Sequence, residues 1–380
     1  MIKKYRVDIK PLEPYTLGTE QGSKFKNTKS YGKESYIIAS QTIPDQTTIL
    51  GTLRYIALVK AKMLKTNFKY TQREQKMMAS LIGTESFSFD KSEQTFGKIH
   101  SVSCLFLRDE KGSVWIRNPL CNREKKSGFT SYVMSQPIMT SRGIITLPVG
   151  EYDANEKKMI GGYDAKNGSS GGFIRLEDKK IMQEYELFEK TFIVGNRTMQ
   201  QKTEDADNVN NKKNMDGFFK REVVRFTDKC KDYAFSLYVC AEEGIFPKKT
   251  IAFMGRKKST FSFEFIECED DDLVTQVKKE FQNTNTQCYL ALSDCFGIQT
   301  KNEKNSAFYI AAMKKIRNIE MVSYDEKEKY INRCKKAEKQ YNLFQAGSTF
   351  LSEPIFSLPE DLNKKLKNYG YNCIVKLGGK

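Results

Sequence analysis

Catalysis needs side chains that hold or exchange charge at a defined spacing, and this chain offers few such sets. Its only histidine is His100, in Ile99-His100-Ser101-Val102-Ser103-Cys104-Leu105-Phe106. An imidazole titrating near neutrality suits the general base of a metal-independent ribonuclease. Alternation with Val102, Cys104 and Phe106 instead predicts a hydrogen-bonded ring on the apolar face of a strand, and the sequence assigns it no Ser, Cys or Asp partner. The run Glu267-Cys268-Glu269-Asp270-Asp271-Asp272 has carboxylates enough for magnesium. It stands before an apolar-periodic segment, however, where acids complement the amides and dipole of a helix start. Nine cysteines are scattered and never spaced as CxxC, which predicts reduced thiols and neither a disulfide framework nor a zinc site. Walker, GxGxxG and HExxH patterns are missing, and the GxSxG match at Gly168 to Gly172 lies inside a glycine-serine-rich run rather than a strand-to-helix turn, so no familiar hydrolase, dehydrogenase, protease or esterase chemistry is legible and no cofactor is expected.

Binding is the better-supported class. The chain has 63 Lys+Arg against 47 Asp+Glu, a formal charge of +16, and the cations are spread along its whole length. Such a balance points first to nucleic acid and second to a membrane surface. No basic amphipathic helix stands beside an apolar anchor, and no apolar run approaches the roughly 18 residues of a spanning helix. Met1-Ile2-Lys3-Lys4-Tyr5-Arg6 leads directly into a strand pattern without a signal-peptide core, so the expected location is cytoplasmic. Gly255-Arg256-Lys257-Lys258 sets three cations on a turn between two strands, suited to successive phosphates or to a solvated hairpin tip. Gln345-Ala346-Gly347-Ser348-Thr349-Phe350 places a glycine inside a strand-like run, which marks the close approach of another backbone or of a ligand. Tyr369-Gly370-Tyr371-Asn372 and the terminal Gly378-Gly379-Lys380 repeat that signal.

The elements that position these groups are partly legible. Tyr5 to Ile9 alternates as a strand, ended by Pro11 and Pro14. Pro44-Asp45-Gln46-Thr47-Thr48 heads a helix with Ile49, Leu53, Ile56 and Ala57 on one face and Arg54 elsewhere. Thr71-Gln72-Arg73-Glu74 is a capping box for a second helix that stops at Gly83. Ile99 to Leu107 and Val114 to Arg117 read as strands joined at Asp109-Glu110-Lys111-Gly112. Gly161 to Gly172 reads as a flexible stretch, and 201–216 as an exposed, poorly ordered loop. Further strands are expected at Glu222–Phe226, Ala234–Cys240, Thr260–Ile266, Gln287–Leu292 and Ala307–Ala312. Helices are expected after Asp272, carrying Leu273, Val277 and Phe281, from Ser323-Tyr324-Asp325-Glu326 to about Tyr341, and from Pro359 to Lys367. The helix ending at Tyr341 places Tyr330, Cys334, Ala337 and Tyr341 on one stripe. With 380 residues, the pattern predicts an α+β fold in two units, 1–175 and 176–380.

Five segments taken in order carry a resemblance. Ile9-Lys10-Pro11-Leu12-Glu13-Pro14, Ile43 to Leu53, Gly217-Phe218-Phe219-Lys220-Arg221-Glu222-Val223-Val224-Arg225, Ala346 to Phe350, and Gly370-Tyr371-Asn372 to Gly378 together resemble the third-subunit family of the Cmr, or type III-B, CRISPR effector complexes, within the RAMP superfamily. The resemblance implies two ferredoxin-like (RRM-like) domains with inserted hairpins and no catalytic activity. It also implies a subunit that holds the 5′ tag of the CRISPR guide RNA, near target RNA, and bridges the large polymerase/cyclase subunit to the backbone RAMP subunits. Candidate RNA contacts are Arg54, Arg225, Arg256, Lys257, Lys258, Gly347, Ser348, Gly370, Tyr371, Lys376 and Gly378. Residues 118–147, with Arg123, Lys125, Lys126 and Arg142, are the candidate thumb of the superfamily. The competing readings are a RAMP endoribonuclease that trims guide precursor and a free-standing RNA-binding protein.

Overall fold

Alternation builds the centre of the molecule. In the computed structural model, which describes residues 1–18, 24–26, 35–66, 70–134, 138–141, 143–145, 148–153, 158–162, 171–197, 217–255, 258–269, 272–284, 288–299, 309–322 and 333–378, the strand Ile2–Pro11 turns Val7 and Ile9 inward with no exposed surface. Its neighbours do the same. Val7 stands between Leu237 and Phe265, and Ile9 between Phe235 and Phe263, so apolar rows run across three antiparallel strands. The full sheet has Ile181–Met182, Phe173–Arg175, Val114–Arg117, Phe106–Arg108, Ala234–Glu242, Ile2–Pro11, Ser259–Glu267 and Lys249–Met254 in that order, with Ile99–Val102 also paired to Ala234–Glu242. Strands from both sides of residue 175 thus share one sheet. Its pairings are antiparallel, and the fold is strand-rich α+β.

Helix α1 (Gln46–Lys60) covers one face with Ile49, Leu50, Leu53, Ile56 and Ala57, the spacing of a helix whose one side is buried. Helix α2 (Gln72–Ile82) begins with the expected capping box: Thr71 Oγ1 accepts from the Glu74 N–H, and the Glu74 carboxylate accepts from the Thr71 N–H at 2.8 Å. Because none of α2 is fully buried, its ends matter more than its packing. Thr71→Ala is expected to cost about 1 kcal/mol, read as a lowered denaturant midpoint. Directly after a short helix, α3 (Glu184–Leu187), the chain enters Phe188–Arg197, which pairs with Gly217–Phe226 in a separate sheet.

The opposite face of the central sheet is covered at one end. Helix α4 (Leu273–Phe281) starts where the acidic run ends, with the Asp272 carboxylate accepting from the Thr275 N–H at 3.0 Å, so the structural role expected of Asp272 holds. Asp270 and Asp271 lie outside the described residues. Leu273, Val277 and Phe281 pack with Phe106, Ile174 and Tyr238 of the sheet and with Cys288, Leu290, Val375 and Leu377. The last four belong to a small sheet ordered Tyr309–Ile310, Thr349–Phe350, Cys288–Ala291, Ile374–Leu377. Helix α5 (Glu360–Asn368) precedes its final strand. Among the described residues no helix is long and apolar enough to cross a membrane.

Two local expectations are overturned, both by β-bulges. His100 is exposed, whereas Ile99 and Val102 are buried. Opposite it, Val239 pairs with Val102, Cys240 with Ser101 and Ala241 with Ile99, so His100 is the extra residue of a bulge and the alternation resets there. Residues 333–341 are not helical either. Arg333–Phe344 forms an antiparallel hairpin with Met313–Val322. Arg317 pairs with Gln340 but Ile319 with Lys336, so Lys336–Gln340 bulges by two extra residues, leaving Lys339 exposed between the buried Ala337 and Tyr341. That bulge reproduces the four-residue spacing that mimics a helix stripe. Ser323 to Tyr330, the flexible stretch within 163–170 and the 201–216 loop lie outside the described residues.

Candidate nucleic-acid interface

A cleft of about 1920 Å3 opens beside α1. One wall is α1 itself, with Thr47, Thr48, Gly51, Arg54 and Tyr55. Another is the hairpin Met313–Val322/Arg333–Phe344, which contributes Lys314, Lys315, Arg317 and Lys336. Arg117 and Lys190 add cations from the central and side sheets. Against these seven cations stand four carboxylates, those of Asp45, Glu184, Glu222 and Asp294. The lining is therefore net positive among the described residues, and low-dielectric walls concentrate such a field inside a cleft.

Several of these charges hold one another. Lys314 Nζ donates to Asp45 Oδ1 at 2.7 Å and to the Asp294 carboxylate. Burial pushes the Lys314 ammonium down, and the two carboxylates reverse this and hold it above its ordinary value. Asp45 also accepts from Gln41 Nε2 at 2.9 Å, and Asp294 from the Ala346 N–H at 3.1 Å. Asp45 thus spends its carboxylate on Lys314 and Gln41 and makes no side-chain cap on α1. Arg117 pairs with Glu184 at 2.9 Å and lies 4.5 Å from the Phe173 ring centroid. Burial pushes the Glu184 carboxyl up, and Arg117 and Thr42 bring it below the usual range. Lys190 reaches Glu222 at 3.4 Å. Lys315, exposed on the hairpin, has no ion pair among the described residues.

The glycine signals at Gly347 and Gly370 meet atoms of this chain. Gly347 is buried at φ +94°, and a Cβ there would sit 3.1 Å from the Asn118 carbonyl and 3.3 Å from Arg117 Cβ. Its N–H donates to the Ala291 carbonyl and its carbonyl accepts from the Leu120 N–H, each at 2.8 Å. Ser348 is fully buried, its hydroxyl accepting from the Ala312 N–H at 3.3 Å. Gly370 ends α5: its N–H donates to the Lys367 carbonyl and the Tyr371 N–H to the Leu366 carbonyl, a Schellman closure that needs the positive φ of +79°. Tyr371 is buried against Phe87 and Phe89, and its hydroxyl, beside Thr47, has no partner with hydrogen-bond geometry. The close backbone of the first alternative is thus this chain's own.

The other candidates are dispersed. Arg54 donates to the Gly83 carbonyl at 3.4 Å and lies over the Phe96 ring at 5.2 Å; burial lowers its pKa. Of the nine candidates among the described residues, Arg54 and Gly370 alone line the cleft. Arg225 pairs with Glu189 at 2.6 Å, Lys376 is exposed on the last strand, and the Gly378 N–H donates to the Phe281 carbonyl at 3.2 Å. Lys258 is exposed with φ +55°, while Arg256, Lys257 and Arg142 lie outside the described residues. In the candidate thumb, Arg123 lies 5.8 Å over the Tyr132 ring, Lys125 and Lys126 are exposed, and Ile138–Thr140 pairs with Gly143–Ile145. The cleft cations absent from the sequence candidates are Arg117, Lys190 and, most numerous, those of the hairpin. Their signal was present: Lys315, Arg317 and Ile319 alternate outward with inward Ile316 and Asn318.

No protein-family model matches the chain, and no curated protein matches it.

Proposed function

We propose that the chain is a non-catalytic RNA-binding subunit of a type III-B CRISPR ribonucleoprotein effector complex, an antiviral defence assembly, and that it holds the 5′ tag of the guide RNA. The observation that carries the binding part is the cleft, whose lining has seven cations against four carboxylates. The order of the five resembling segments supports the assignment to that assembly, in which two ferredoxin-like units would bridge the large polymerase/cyclase subunit to the backbone. Phosphates seated on the cleft cations and on Arg256, Lys257 and Lys258 make binding strongly salt-dependent. For about six phosphate contacts on a single strand, log K should fall against log salt with a slope of about 4. A slope near zero in fluorescence-anisotropy titrations sinks the binding reading. Recovery of the native complex and sequencing of its RNA tests the assembly, since an RNA lacking repeat-derived 5′ ends removes it.

The endoribonuclease reading gains one observation, the exposure of His100. His100 is not among the residues lining the cleft, so RNA seated there would not meet it. His100→Gln should therefore leave guide length unaltered in the assembled complex. Cleavage of repeat RNA in EDTA by the wild-type chain, abolished in this variant, would make the protein an enzyme instead.

A further inference from the structure

Helix α1 contains a glycine that its own fold does not use. Gly51 sits in the sixth position of a fifteen-residue helix, is exposed, and has nothing within 4 Å of where a Cβ would stand. A helix-interior glycine is less stable than alanine, and here no packing neighbour requires it. What it does leave is bare helix backbone on the cleft wall. One turn on, Tyr55 is 41% exposed and lines the same cleft. Across from α1, the hairpin presents Lys315 and Arg317 between two apolar side chains, Met313 at 59% and Ile319 at 51% exposure.

We infer that this channel takes single-stranded RNA, with one base stacked on the Tyr55 ring, the strand running against Gly51, and phosphates on the hairpin cations Lys315 and Lys336. The inference rests on the RNA-binding reading above and narrows it to a strand form and a track. An exposed aromatic ring beside cations and apolar side chains is the combination that holds unpaired nucleotides, because stacking needs an accessible base face and a duplex hides it. A duplex would engage the cations alone. The bare backbone at Gly51 gives the strand room to lie flat on the helix, which any side chain would lift away.

The test uses the full chain with a short fluorescein-labelled RNA of mixed sequence, offered single-stranded and as a duplex. Tyr55→Leu should weaken single-strand binding about tenfold, and Tyr55→Phe should retain it, because the ring carries the interaction. Gly51→Ala should raise the Tm by about 1–3 °C, and Gly51→Leu should weaken single-strand binding in a chain that still melts cooperatively. Weakened binding in a folded helix variant separates a ligand contact from a folding defect. Irradiation of a 5-iodouridine-substituted strand should place a cross-link on the peptide that contains Tyr55. If wild type binds single strands with the expected salt slope while Tyr55→Leu and Gly51→Leu bind equally well and no cross-link reaches Tyr55, this inference falls and the RNA-binding reading stands. Equal affinity for the duplex also overturns it. If wild type binds neither RNA form, the underlying reading fails first.

Discussion

Gly370→Ala is expected to lower stability by about 3–5 kcal/mol, through two costs that arise together. The residue holds φ at +79°, a left-handed conformation in which an L side chain is strained. A Cβ at that position would also stand 2.2 Å from Gln46 Nε2, 2.5 Å from its Cδ and 2.7 Å from the Ser103 carbonyl oxygen. Gln46 has little freedom to retreat, since it is buried and donates to that same Ser103 carbonyl at 2.7 Å. Displacing it breaks the hydrogen bond and leaves a buried amide and a carbonyl unsatisfied. Ser103 in turn donates its N–H to the Tyr238 carbonyl, and its hydroxyl accepts from the Tyr238 N–H, each at 2.8 Å. The strain therefore passes from the end of α5 into the central sheet. Chemical denaturation of the variant checks this, and a midpoint within error of wild type would mean that Gln46 swings aside without cost. Gly347→Val is a useful companion. Its Cβ contacts are looser, at 3.1 and 3.3 Å, so its loss should be smaller but should still appear in the Tm, contrary to a glycine kept open for RNA.

Those two glycines show how far a sequence reaches. A glycine in a strand-like run says that something comes close, and that much was right at Gly347 and Gly370. Whether the neighbour is RNA or Asn118 and Gln46 depends on contacts more than two hundred residues away in the chain, which no local pattern encodes. Elements with self-contained signals were legible: the Val7/Ile9 alternation, the Thr71/Glu74 capping box, the Asp272 cap and the α1 stripe. Elements with a bulge were not. At His100 one added residue turned an apparent core ring outward, and at 336–340 two added residues converted a strand into a helix-like spacing. The second misreading hid the cleft's basic wall, because a helix distributes lysines around its axis whereas a hairpin gathers Lys315, Arg317 and Lys336 toward one side. Joining the strands of 2–11, 106–117, 173–182 and 234–267 into one sheet was likewise out of reach, since sheet order is decided by long-range pairing.

Lys314→Met should cost about 3 kcal/mol, because it strips the shared cation from two carboxylates that are mostly removed from water. The side chains of Lys314, Asp45 and Asp294 are all less than one-fifth exposed, at 19%, 17% and 18%. With the ammonium gone, Asp45 retains Gln41 and Asp294 retains the Ala346 N–H, but no cation remains between them. Methionine preserves the apolar stem, so the loss reports the charge rather than the packing. The sign with pH follows from the raised Lys314 value. Its contribution is complete below the unfolded lysine pKa and is lost only as pH rises through the higher folded one, so the difference between wild type and variant should stay level from pH 6 to 9. Adding Asp45→Asn and Asp294→Asn to the methionine variant should recover part of the stability, since amides are cheaper to leave unpaired than carboxylates. The network joins the start of α1, the Ser293–Asp294 turn, the hairpin and Ala346, so its rupture should also loosen the cleft and reduce affinity for single-stranded RNA. A variant as stable as wild type at pH 7 would show that the two carboxylates find water in place of Lys314 and that this pair does not fix the hairpin against α1.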